Sequence, residues 1–165
     1  MTRPALSALA VGVVAVAGLA GLIRGAVPQV AAGGIGGAAT DPIVISGAYV
    51  REPASPDVAA AYFTVYNTTG TDDMLIGVAS GAGEDTVLHA DGSMSPTAAG
   101  LHIPAHSSVT LSPGKGHVMI EHLLGTLRPG QYVNLQLTFE QAGPVNVSAP
   151  VIAINAPAPT GEPTR

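Results

Sequence analysis

The chain has 165 residues, with 6 basic and 11 acidic side chains and no cysteine. Beyond residue 40, four basic side chains accompany all eleven acids, which gives a formal charge of −7. Because binding to a phosphate backbone depends on clustered Lys and Arg, nucleic acid is excluded as a partner. The lack of cysteine excludes disulfides, catalytic thiols and the Cys ligand of blue-copper electron carriers.

The first 40 residues form a leader with its own composition. Arg3 precedes an apolar run from Pro4 to Ile23, and a stretch rich in Gly and Ala extends to Thr40. This order is typical of an export signal, but an apolar run of about 20 residues is also long enough to cross a bilayer. A cleaved signal peptide and a retained membrane anchor both remain open. Either one places the rest of the chain outside the cytoplasmic membrane, on the periplasmic or cell-wall side or secreted.

Residues 41–155 are predicted to form one β-rich domain. The clearest period-2 pattern runs from Gln131 to Glu140, where apolar and polar residues alternate. Short turn signals such as Ser112-Pro113-Gly114 separate the weaker patterns. Those weaker strands are predicted at Ile43 to Val50, Ala60 to Asn67, Met74 to Ala79, Thr86 to His89, Ser107 to Leu111, His117 to Ile120 and Val145 to Ile154.

No long stretch beyond residue 40 carries the 3.6-residue apolar stripe of an amphipathic helix. Short strands separated by turn signals predict an all-β fold, a Greek-key β-sandwich or barrel. The tail at residues 156–165 contains three prolines and is predicted to be disordered.

Histidine and methionine side chains form the most informative pattern. In a strand starting at Gly116, His117 and Met119 share one face, while Val118 and Ile120 point to the other. The opposite assignment would bury an imidazole and expose two branched aliphatic residues, which is the more costly arrangement. We therefore expect the imidazole and the thioether to face outward together.

Two further candidate ligands precede this strand. His89 ends a short predicted strand, and Met94 lies in the small, polar loop that follows. A His at a strand end is often just a surface residue, but two imidazoles and two thioethers would form a soft ligand set that suits Cu(I). His102 and His106 are weaker candidates for transient metal contacts or for no metal role. His122 shares the parity of Val118 and is expected to be a packing or turn residue.

These residues carry a resemblance to a known family. The pattern Leu111-x-Pro113-Gly114-x-x-His117-x-Met119, with a Leu137-Thr138-Phe139 strand behind it, resembles the PCuAC family of exported copper chaperones. The resemblance covers roughly residues 42–152. Relative to the family, the loop between His89 and Met94 is shorter, with four intervening residues, and Ala90 stands where a Met commonly follows the first His.

The resemblance implies a cupredoxin-like β-barrel that holds one Cu(I) through His89, Met94, His117 and Met119. It further implies delivery of copper to the binuclear copper centre of cytochrome c oxidase, often alongside a Sco-type protein. A different class of function remains as the alternative: a secreted or anchored β-sandwich adhesion or scaffold module, in which His89 and His117 would lie far apart. The sequence contains no nucleophile elbow, no paired-carboxylate pattern and no phosphate-binding loop, so an enzyme is not expected.

Overall fold

The computed structural model describes residues 41–92, 95–97 and 99–160. The predicted leader at residues 1–40, Met94 and the last five residues lie outside the described residues. The described part contains no helix, and therefore none that is long and apolar enough to cross a membrane. Its nine strands are β1 (Ile43–Arg51), β2 (Val58–Asn67), β3 (Asp73–Ser80), β4 (Gly83–His89), β5 (Leu101–Ile103), β6 (Ser108–Leu111), β7 (His117–Leu123), β8 (Tyr132–Phe139) and β9 (Gly143–Ile152).

The strands join into one curled sheet in the order β4-β7-β2-β1-β9-β8-β3-β5, and β6 pairs with the second half of β2. Most pairs are antiparallel, but β1 and β9 run parallel at Val50 and Val151. The Thr86 hydroxyl of β4 donates a hydrogen bond to the Val78 carbonyl of β3, so these two strands also meet. The prediction of an all-β fold is confirmed.

One face of the curled sheet is the apolar core. On β8, Val133, Leu135, Leu137 and Phe139 are buried while the residues between them are more exposed, as the alternation predicted. On β7, Val118 and Ile120 have no exposed surface. The buried surface of such side chains is the main stabilising contribution of the domain. It also fixes the register of β7, because a one-residue shift would turn both aliphatic side chains outward.

Three local features differ from the sequence-based expectation. The three-residue strand β5 was not predicted, because a strand this short shows no period. Gly47 has a φ of 57° at a register shift in β1, where the strand alternation is interrupted. His122, expected to be a packing or turn residue, has a φ of 51° and an exposed side chain, so it does not pack in the core. Its left-handed backbone breaks the parity that Val118 and Ile120 establish.

Candidate metal site

Strands β4 and β7 bring the predicted ligands together. Their antiparallel register places His89 directly opposite His117, and Val87 opposite Met119. His117 and Met119 are both partly exposed, on the face opposite Val118. The prediction that the imidazole and the thioether share the outer face of β7 is therefore correct, and the strand pairing adds His89 to the same face.

The two imidazoles are stacked. Their ring centroids lie 4.7 Å apart with an angle of 18° between the ring planes. Two nitrogens that bind one metal at about 2 Å each must lie within about 4 Å of each other. The two ring centroids are only slightly further apart than this, so the two side chains are close enough to be considered as ligands of one ion.

His89 is unusual for a polar residue because only 4% of its surface is exposed. Its Nδ1 atom is buried, and it has no hydrogen-bond partner among the described residues. An unpartnered buried polar atom costs about 1–3 kcal/mol, so the fold tolerates a local penalty here. A cation bound at this nitrogen would remove the penalty.

His117 is kept in the form that binds metal. Burial, and secondly the neighbouring His89, lower the pKa of His117 below its usual value of 6.5. The ring is therefore neutral at pH 7, and its lone pair is free without a proton being displaced first.

Met119 is the candidate sulfur ligand on strand β7. Residues two apart on a strand are separated by about 7 Å, a distance that a flexible Met side chain can span. Ala60 of β2 and Val87 of β4 are its cross-strand neighbours. No three His, Cys, Asp or Glu side chains converge on a metal position within the described ranges. The His pair with Met119 is thus a mixed nitrogen and sulfur set. Met94 lies outside the described residues.

Aromatic side chains that the sequence reasoning missed extend the site across the sheet. The Tyr62 ring lies 6.3 Å from the His117 ring, and Tyr49 stacks on Tyr62 at 5.1 Å. The guanidinium of Arg51 lies 5.3 Å from the centre of the Tyr49 ring. Burial and the Tyr49 hydroxyl raise the pKa of Tyr62, against a smaller opposing effect of Arg51. A neutral phenol therefore lies beside His117.

Gly116 allows the two histidine strands to approach closely. A Cβ atom at this position would lie 2.8 Å from the His89 carbonyl oxygen and 2.9 Å from the Ala90 carbonyl oxygen. Real Cβ atoms do not approach backbone oxygens this closely, so any side chain here would force the end of β4 away from β7. The absence of a side chain at residue 116 is a condition for the His89 and His117 contact.

The remaining histidines lie elsewhere. His102 is on β5, where its Nε2 lies 2.9 Å from Oδ2 of Asp72. The hydrogen bond from the Ala105 N–H, and secondly the one from His102, lower the pKa of the Asp72 carboxyl. His122 lies 3.4 Å from Asp85.

An open groove of about 650 Å³ is lined by residues 52–56 and 123–129, at the end of β7 remote from His117. It takes no part in the His pair.

Solved structures with this fold include two copper-loaded domains. A structure described as the copper-bound PCuAC domain from PmoF2 superimposes with a TM-score of 0.61 and 29% sequence identity, covering 68% of this chain and 93% of that one. The solution structure of CuI-DR1885 from Deinococcus radiodurans gives a TM-score of 0.57 and 31% identity, covering 71% and 83% of the two chains. The fold and the paired histidines therefore define a domain of the PCuAC type.

The sequence comparisons specify the family. The profile of the LpqE-like family, described as "Putative lipoprotein LpqE-like", matches residues 43–151. A protein named "Putative lipoprotein Lxx21020" from Leifsonia xyli subsp. xyli is 30% identical over 121 residues, which are 70% of this chain and 72% of that protein. The chain belongs to the LpqE-like family.

Proposed function

We propose that this protein is a Cu(I)-binding carrier that holds copper between His89, His117 and Met119, with Met94 as a fourth ligand. The observation that carries the proposal is the stacked His89 and His117 pair, with a buried, unpartnered Nδ1 on His89. Imidazole nitrogen and thioether sulfur are ligands that favour Cu(I) over harder ions such as Mg²⁺ or Ca²⁺. The copper named in the descriptions of the PmoF2 and DR1885 structures supports the same cargo.

The ligand chemistry suits a carrier rather than an enzyme. Thioethers carry no proton and a neutral imidazole has a free lone pair, so copper binds and leaves by ligand exchange without proton transfer. His117 and Met119 are partly exposed, so an acceptor can approach copper from the outer face of the sheet. The buried His89 would remain as the last ligand to be exchanged.

The alternative of an adhesion or scaffold module predicts that His89 and His117 are far apart. They are instead directly opposite each other on neighbouring strands. A module without a metal role gives no reason to maintain a buried imidazole nitrogen without a partner. The contact between the two rings therefore favours the copper carrier.

We further propose that the carrier works outside the cytoplasmic membrane. The lipoprotein names of the family and of the Leifsonia protein support an exported or membrane-attached location. The acceptor we propose is the binuclear copper centre of cytochrome c oxidase, with a Sco-type protein as a second partner in the delivery. The 165 residues contain no cysteine, so a lipid linked to a thiol has no attachment point within them.

The test is a competition titration with a chromogenic Cu(I) chelator under anaerobic conditions. The wild-type protein is expected to hold one Cu(I) more tightly than Zn(II) at pH 7. The variants His117→Ala and Met119→Leu are each expected to weaken that binding. His122→Ala is the matched control, because His122 lies on the same strand with an exposed side chain away from the pair. Equal Cu(I) affinity in His117→Ala and wild type would refute the proposal.

A further inference from the structure

A second pairing of imidazole and thioether lies on strands β3 and β5. Met74 of β3 is directly opposite His102 of β5 in the antiparallel ladder. Directly opposite residues have Cβ atoms about 4.5–5.5 Å apart and project from the same face of the sheet. The flanking pair of Leu75 and Leu101 is buried, so Met74 and His102 project away from the core. These strands are distinct from β4 and β7, which carry the first histidine pair.

The His102 ring is held in one orientation. Its Nε2 atom lies 2.9 Å from Oδ2 of Asp72, and Oδ1 of Asp72 accepts a hydrogen bond from the Ala105 N–H at 2.9 Å. With Nε2 engaged by the carboxylate, Nδ1 is the nitrogen left to accept a ligand. Histidines that bind metals commonly donate their other ring N–H to a carboxylate in this way.

The Met74 side chain lies on the same surface, against the start of β5. A Cβ atom added at Gly100 would lie 3.2 Å from the Met74 sulfur, so the thioether lies over the position where Gly100 has no side chain. Gly100 has a φ of 82° and lies directly before β5. Met74 is only partly buried, so its sulfur is not enclosed in the core.

From this arrangement we propose that Met74 and His102 form a second, weaker Cu(I) site on the β3 and β5 edge. Two neutral soft ligands satisfy Cu(I), which accepts low coordination numbers, but they provide fewer bonds than the first site. The choice of copper rests on the proposed function. The site would hold an additional ion that exchanges readily with solution.

The test follows the methionine methyl groups by NMR in protein labelled with [¹³C-methyl]methionine. The metal-free protein is titrated anaerobically with acetonitrile-stabilised Cu(I), up to two equivalents. We expect the Met119 methyl signal to shift with the first equivalent, and the Met74 methyl and His102 ring signals to shift with the second. Met74→Leu and His102→Ala are each expected to weaken the second binding step by about tenfold or more, and to leave the first step unchanged.

His122→Ala is the matched control. Its side chain is 57% exposed against 56% for His102, and each of the two histidines lies beside an exposed aspartate. Within the described residues, no methionine is paired with His122 on the strands beside β7. Removing it is expected to leave both binding steps unchanged.

A Met74 methyl signal that stays unmoved through two equivalents would overturn the second site, as would a second step that survives in Met74→Leu. Failure of the proposed function gives a different result. In that case the Met119 signal does not respond and His117→Ala has no effect, whatever Met74 does. In His117→Ala, the first binding step is expected to weaken while the second keeps its affinity, which would show that the two sites bind independently.

Discussion

Replacing His89 with leucine is expected to stabilise the metal-free protein while abolishing its copper site. His89 is 4% exposed, and its Nδ1 atom has no hydrogen-bond partner among the described residues. Such an atom costs about 1–3 kcal/mol, and an apolar side chain of similar volume removes that cost. For a domain of this size, 1 kcal/mol corresponds to about 3–4 °C in Tm. His89→Leu should therefore raise the Tm of the metal-free protein by roughly 3–12 °C.

Copper binding should change in the opposite direction. Losing a residue that only orients a metal ligand costs about 10–100-fold in affinity, and losing a ligand costs at least as much. The assays are thermal unfolding by circular dichroism without metal, and competition titration with a Cu(I) chelator. His122→Asn is the control, because Asn tolerates the φ of 51° at this position and the exposed His122 ring has no buried, unpartnered atom that the change would remove. A His89→Leu protein that melts below wild type and still binds Cu(I) tightly would refute the reasoning.

Four further outcomes are expected. Because the pKa of His117 lies below 6.5 in the folded state, Cu(I) affinity should be flat above pH 6.5 and fall below it, as chelator competition between pH 5 and 8 would show. Over the same acid range the metal-free protein should lose stability, because the unfolded state binds a proton at His117 more readily than the folded state does. Thermal melts of His117→Gln that show the same dependence of stability on pH as wild type would contradict this. Gly116→Ala should cost about 1–3 kcal/mol in unfolding free energy and weaken copper binding, because the new Cβ would lie 2.8 Å from the His89 carbonyl oxygen. A Cβ at Gly125 would have no atom within 4 Å, so Gly125→Ala should change neither the stability nor the copper affinity. Asp73→Ala should lower the unfolding free energy by about 2–4 kcal/mol, because the buried Asp73 carboxylate accepts hydrogen bonds from the N–H groups of Met74, Gln141 and Ala142. Glu84 is exposed, so an equal loss of unfolding free energy in Glu84→Ala would contradict that account.

Strand content and the orientation of β7 could be predicted because both depend on local alternation. The aliphatic residues at 118 and 120 bury completely, and this alone forces His117 and Met119 to the outer face. The same rule failed at His122, where a positive φ breaks the alternation. Sequence parity holds only while the backbone remains extended.

The partners of each strand depended on contacts between distant segments. The sequence identified His89 as a candidate ligand but described it as the end of a strand that leads into a loop. Its burial and its place opposite His117 follow from the pairing of β4 with β7, which lie on either side of a long chain segment. The row formed by Tyr62 and Tyr49 and the facing pair of Met74 and His102 also arise across strands. Periodicity within one strand carries no information about which residues lie on the next.

An all-β, cysteine-free domain with soft ligands on one strand could be predicted from the amino-acid sequence, because composition and alternation are local properties. The tertiary structure decided that two imidazoles stack at 4.7 Å, that one of them is buried with an unpartnered nitrogen, and that Gly116 makes this approach possible. These features depend on the register between strands, which the burial of the shared core selects. The physical reason is that metal ligation requires ångström-level convergence of side chains, and only the packed sheet supplies it.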